Sequence, residues 1–376
     1  MSLEQQPRVE TGPYALSHAS SFALDLTRTV AAQLVLVGHS ISILGLLPWL
    51  QPPHFAYIQN IAVVVFFLLS GLLISYSVLS RASRPTFNDY LVDRVARIYS
   101  GLIPALIFIA IVDGAILYDV KGDYDYWSGY SPLDFVGNAL MLQDYPVLGS
   151  VLGITSFGSA RVLWTLAIEW WLYLLFGWIA LKRSRGLGFW IGLVLLLPVP
   201  LYNVIGGRGD GLTAMWVLGL GCCLALRADV LRLRSPRAGW LLFLAFSLLA
   251  CARIAVTKDA YDLLFAVLSA SALTTLVLLL DSTAPRIPAT LERVVRFTAD
   301  YSFTLYLVHL SVIALLLNFA DGLSSWAAFG VLFVAVNVAS ALLALKTEMQ
   351  HRKLRRFLKA KFQGAKPASS ETRMSN

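Results

Sequence analysis

The fold turns on Phe22 to Leu47, FALDLTRTVAAQLVLVGHSISILGLL. At 1.5 Å per residue a helix over this stretch is long enough to cross the ~30 Å hydrocarbon core of a bilayer. It nevertheless carries Arg28 and His39, eleven residues apart. Each helical residue turns about 100°, so the pair ends roughly 20° past three full turns and both side chains point from one face. The rise between them is about 16 Å, roughly half of the hydrocarbon core. Ionisable residues inside a membrane are costly and are candidates for function by default.

The rest of the chain reads the same way. Its 376 residues are 57% hydrophobic and only 14% charged, with a mean hydropathy of +0.69. A soluble domain carries about 25% charge, so the composition excludes a soluble globular enzyme. The net charge of +8 does not point to nucleic acid, because the basic residues sit in short clusters between apolar runs. Cys222, Cys223 and Cys251 all fall in apolar segments without a CxxC pair. They read as small core residues, not as a disulfide framework or metal site. Residues 1–20 contain Glu4, Pro7 and Glu10 and no apolar run, so the first helix is expected to direct insertion.

Windows of about 20 apolar residues predict ten spans, over 22–44, 58–80, 98–118, 162–181, 187–205, 211–226, 238–254, 262–281, 299–318 and 325–345. The shortest, 211–226, has Gly209, Gly211, Gly219 and Gly221 in or beside it, which predicts close helix packing. With the N-terminus inside, 25 of the 30 basic residues fall on the inner side. Only Lys121, Arg161, Arg208, Arg253 and Lys258 are left outside. That asymmetry predicts both termini in the cytoplasm. The expected architecture is an all-α, polytopic membrane bundle, with a cytoplasmic tail over 1–20, a membrane domain over 21–346 and a basic cytoplasmic tail over 347–376. The longest loop, 119–161, lies outside and mixes Asp119, Asp123, Asp125, Asp134 and Asp144 with Tyr124, Tyr126, Trp127 and Tyr130. Residues 346–362, KTEMQHRKLRRFLKAKF, are expected to lie along an anionic inner leaflet.

Four more residues join Arg28 and His39. Arg94 and Arg97 share a helix face at i and i+3, so two guanidiniums can converge on one phosphate. The competing reading of all three arginines is a topological anchor. Glu169 stands inside the fourth span, among Trp164, Trp170, Trp171 and Tyr173, which could form an interfacial belt or stack on a sugar ring. His309 lies about eleven residues into the ninth span, at a depth like that of His39. Two histidines without further ligands suit catalysis or a polar network better than a metal, and no metal is expected. An interhelical hydrogen bond is the structural alternative for His39.

In order along the chain, these segments resemble the acyltransferase 3 family of bacterial membrane acyltransferases. Leu24-Asp-Leu-Thr-Arg28 with Val35-Leu-Val-Gly-His39 is similar to its first-helix pattern, and Phe66-Phe-Leu-Leu-Ser-Gly71 to its FFxLSG helix. Arg94-Val-Ala-Arg97-Ile-Tyr99 resembles its RxxR motif. Leu163-Trp-Thr-Leu-Ala-Ile-Glu169 resembles its LWSLxxE segment, and Tyr301-Ser-Phe-Thr-Leu-Tyr-Leu-Val-His309 its SYxLYLxH helix. Val64 stands where an acid often precedes FFxLSG, Thr165 replaces the usual Ser, and Trp170 follows Glu169 where many members have a second acid. With the given sequence ending soon after the tenth span, the extracytoplasmic hydrolase-like domain of some members is not expected here.

The resemblance implies transfer of an acyl group, usually acetyl from acetyl-CoA, to a hydroxyl of a glycan or other metabolite. It also implies a multi-pass protein of the bacterial cytoplasmic (inner) membrane. On this reading the phosphates of acyl-CoA meet Arg28, Arg94 and Arg97, and the pantetheine arm brings the thioester toward His39. His39 is the expected general base, with Glu169 and His309 orienting it or the acceptor. The partners expected are acyl-CoA, a hydroxyl acceptor and the lipid bilayer, with no nucleic acid; a homo-oligomer with a second copy of the chain is left open. A transporter or flippase for lipid-linked substrates is the rival reading, but such proteins often show two related halves and none is visible here.

Overall fold

The computed structural model describes residues 15–81, 83–115, 128–143, 145, 146, 148–204, 211–227, 233, 235–319 and 322–363. Among them there is no strand, and Gly129 and Phe157 form an isolated bridge. The helices are α1 His18–Ile43, α2 Ile58–Leu79, α3 Phe87–Ala115, α4 Pro132–Ala139, α5 Leu148–Leu152, α6 Leu163–Leu181, α7 Leu187–Leu196, α8 Pro198–Val204, α9 Leu212–Arg227, α10 Pro236–Thr257, α11 Leu263–Thr283, α12 Ala289–Leu317, α13 Ser325–Lys346 and α14 His351–Gln363. Eight helices are long and apolar enough to cross a membrane, and the pair α7–α8, bent by 45°, brings the number to nine. The helix α9 is shorter, at 16 residues. Every predicted window is thus occupied by a helix or the bent pair, and the chain is a polytopic membrane helix bundle.

Small polar caps start many of these helices. Ser17, Ser235 and Ser324 each accept a main-chain N–H from three residues on. Asp262 does so for α11 while also holding Arg253 through two bonds of 2.9 and 2.7 Å. Each cap satisfies an N–H that a helix start leaves unpaired.

The core lies between α1, α2, α3, α6, α9 and α12. By contrast α10 turns Leu241, Leu244 and Leu248 outward, as a lipid-facing helix does. Two helices come closest where glycines meet. A methyl on Gly71 of α2 would overlap the Trp216 carbonyl, and one on Gly219 of α9 would overlap the Leu68 carbonyl. Small residues let backbones approach in just this way. Of the four glycines read as packing residues, Gly219 does so. Gly221 meets nothing within 4 Å and Gly211 sits in a left-handed turn at φ +85°, while Gly209 lies outside the described residues.

Three expectations need correction. The third helix starts at Phe87, not near residue 98, so Arg94 and Arg97 stand two to three turns inside it. Cys251 is exposed on α10, unlike the buried Cys222 and Cys223. Trp170 and Tyr173 are buried in the bundle, Trp170 edge-on to Tyr99 at 5.5 Å, so they form no interfacial belt. Of the long loop over 119–161, Asp119, Asp123, Tyr124, Asp125, Tyr126, Trp127 and Asp144 lie outside the described residues. Asp134 turns inward and accepts from Ser131 and from the Thr155 N–H.

Candidate functional site

A cavity of about 220 Å³ opens between α1, α2, α3, α6 and α12. Its charged lining consists of Arg28, Arg94, Arg97 and Glu169, set among apolar walls such as Phe66, Phe67 and Phe303. Four of the six residues singled out from the sequence, carried on three helices, therefore face one space. Each guanidinium is held differently. Arg28 pairs with Asp25 one turn earlier at 3.4 Å, and Arg94 lies 5.5 Å over the Tyr90 ring. Arg97 reaches Glu348 at 3.1 Å.

Glu169 ends a chain of hydrogen bonds. Its carboxylate accepts from the Tyr173 hydroxyl at 2.5 Å, and Tyr173 shares a 2.9 Å bond with Ser70 Oγ. The indole N–H of Trp216 donates to Ser70 Oγ at 3.2 Å. A tyrosine has one hydroxyl proton and an ionised carboxylate has none. With Glu169 ionised, the Tyr173 hydroxyl must donate to it, and the Ser70 hydroxyl, which accepts from Trp216, is left to serve Tyr173 or Glu169. The Tyr90 hydroxyl holds the Tyr173 main-chain carbonyl at 3.0 Å.

The two histidines form a second group. The rings of His39 in α1 and His309 in α12 lie 5.1 Å apart, tilted by 38°, so the similar depths read from sequence do become contact. His309 is fully buried and His39 is 8% exposed. His309 Nδ1 faces the carbonyls of Tyr306 at 2.8 Å and Leu305 at 3.1 Å. A carbonyl only accepts, so Nδ1 carries the hydrogen and Nε2 the lone pair. Neither histidine lines the cavity. Tyr306 links the two groups: it lines the cavity, lies 6.1 Å from the His309 ring and packs against Phe66 at 5.9 Å. Its hydroxyl is bonded to Thr165 across the gap to α6.

The family model for the acyltransferase 3 group, described as an acyltransferase domain, matches residues 21–345. The chain belongs to the acyltransferase 3 family. It is also similar to an O-acetyl transferase of Shigella phage Sf6, with 28% identity over 204 residues. That match covers 53% of this chain and 57% of the phage protein, so the chain spans little more than half the length of this relative. No solved structure matches.

The acyltransferase motifs carried more than the six chosen residues. Ser70 ends FFLLS and Tyr306 stands inside the last motif, but neither is ionisable at neutral pH, and depth alone did not mark them. Tyr173 is four residues after Glu169, a spacing that stacks two side chains on one helix face, and that signal could have found it. Trp216 and Glu348 come from distant segments outside every motif, and no local pattern points to them. Among the described residues no group of three or more His, Cys, Asp or Glu gathers as metal ligands do.

Proposed function

We propose that this family member is an O-acyltransferase of the bacterial cytoplasmic membrane, with both termini in the cytoplasm. It moves an acyl group, acetyl by preference, from acyl-CoA to a hydroxyl of a glycan or lipid-linked sugar. The observation that supports the reading is one cavity lined by Arg28, Arg94, Arg97 and Tyr306, with the Tyr306 ring 6.1 Å from His309 and His309 5.1 Å from His39. Three guanidiniums suit the phosphates of CoA, which they can meet in charge-assisted hydrogen bonds. At about 220 Å³ the cavity is smaller than the roughly 300–1,000 Å³ of a drug-sized ligand site. It suits an extended arm better than the whole nucleotide thioester. Tyr306 would then have to yield as the thioester advances.

In the proposed step His39 takes the proton of the acceptor hydroxyl as its oxygen bonds to the thioester carbonyl carbon. The tetrahedral intermediate collapses, the C–S bond breaks, and the departing CoA thiolate recovers the proton from the imidazolium. His39 is preferred over His309 as base because it is the less enclosed of the two. His309, anchored through Nδ1, is suited to hold the ring beside it. Glu169 serves the acceptor from the cavity wall.

The test uses full-length protein in detergent or nanodiscs with labelled acetyl-CoA, together with glycans from cells with and without the gene. Wild type is expected to bind acetyl-CoA and acetylate the glycan. His39→Ala is expected to retain binding while transfer falls at least 100-fold, the scale of general-base loss. A transporter would neither bind nor cleave the thioester. Normal transfer by His39→Ala would remove the catalytic assignment.

A further inference from the structure

Glu348 lies just beyond α13 in the basic tail, and its side chain is fully buried. That is an expensive place for a carboxylate unless it is paired and hydrogen-bonded. Oε2 accepts from the Thr304 main-chain N–H at 2.9 Å and from the Thr304 hydroxyl at 2.8 Å. Oε1 faces Nη2 of Arg97 at 3.1 Å, and Arg97 lines the cavity. The chain that follows is fastened to the helix carrying Arg97. Arg355 of α14 reaches Asp93 at 2.5 and 3.1 Å, and Lys359 reaches Asp89 at 3.2 Å.

We propose that Glu348 is a positioning residue that fixes the Arg97 guanidinium in the cavity wall to receive a phosphate of the donor; this rests on the acyl-CoA reading above. Arg28 leans on its own helix and Arg94 on a ring of its own helix, whereas Arg97 is held by a carboxylate from outside α3. An arginine stem has several free rotations, and pinning one nitrogen lowers the ordering cost when an anion binds. A swinging gate does not fit. Two bonds to Thr304 hold the carboxylate, and the α14 clamps hold its backbone.

The experiment compares two donors on the intact protein, acetyl-CoA and S-acetylpantetheine, which carries the same thioester arm without phosphates. Glu348→Gln is expected to weaken acetyl-CoA binding about tenfold and leave S-acetylpantetheine binding unchanged. In an Arg97→Ala background the same change is expected to add nothing. Equal weakening of both donors, or no change for acetyl-CoA, would overturn the proposal. If Glu348→Gln does not give a monodisperse protein, Thr304→Val decides. It removes one of the three contacts to Glu348 and is expected to give a smaller, donor-selective loss. Wild type that binds no acetyl-CoA would instead defeat the acyl-CoA reading itself.

Discussion

Tyr173 shows how much a single buried hydroxyl can organise. It is bonded to Ser70 and gives a hydrogen to Glu169, so removing it leaves a half-buried carboxylate in the cavity wall short of a donor. Such a loss costs about 1–3 kcal/mol. Tyr173→Phe is therefore expected to lower kcat/KM about tenfold or more while leaving the protein folded, as steady-state kinetics beside a thermal melt will show. Undiminished activity would mean that Glu169 does not serve the reaction. At this scale the sequence was a good guide to which residues are unusual. Arg28, His39, Glu169 and His309 stand out because charge or polarity at depth is costly. It was a poor guide to partners. Glu169 finds Tyr173 one turn away, but Ser70 and Trp216 arrive from two other helices through contacts that no spacing rule encodes.

Among elements, α2 and α9 are joined where Gly71 and Gly219 let the backbones touch. The obstacles to a side chain there are carbonyl groups, which cannot rotate aside as a side-chain end can. Gly219→Val is expected to destabilise the bundle by at least the about 1–3 kcal/mol typical of overpacking, seen as a lower Tm in detergent. Gly221→Val, with open space around it, is expected to melt like wild type and serves as the control. Because Ser70 and Trp216 flank this junction on the two helices, activity is expected to fall with Gly219→Val even below its melting point. Hydrophobic length located these helices well, since a bilayer imposes it. It missed the first turns of α3 and α12, because helix beyond the hydrocarbon is polar and leaves no apolar signature. A window of apolar residues likewise does not show that α7–α8 bends by 45°.

For the molecule as a whole, the proposed orientation follows from charge. The excess of Lys and Arg on one set of loops predicts that a reporter fused after α14 is found in the cytoplasm. A periplasmic reporter would reverse the bundle and put the arginine cavity on the side where CoA is absent. The all-α membrane architecture was legible from composition and periodicity alone. The grouping of the site residues was not, because which ends of α1, α3, α6 and α12 converge depends on packing between distant segments. Tyr306 then bears on the energetics of the membrane itself. A cavity with three guanidiniums enters the bundle, Tyr306 lies in its wall, and neither His309 nor His39 beyond that ring lines it. Ion conduction needs an unbroken polar path, and each charge that leaks across 100 mV dissipates about 2.3 kcal/mol. A recess walled by the Tyr306 ring is expected to offer its guanidiniums to an anion while the bundle remains an electrical insulator.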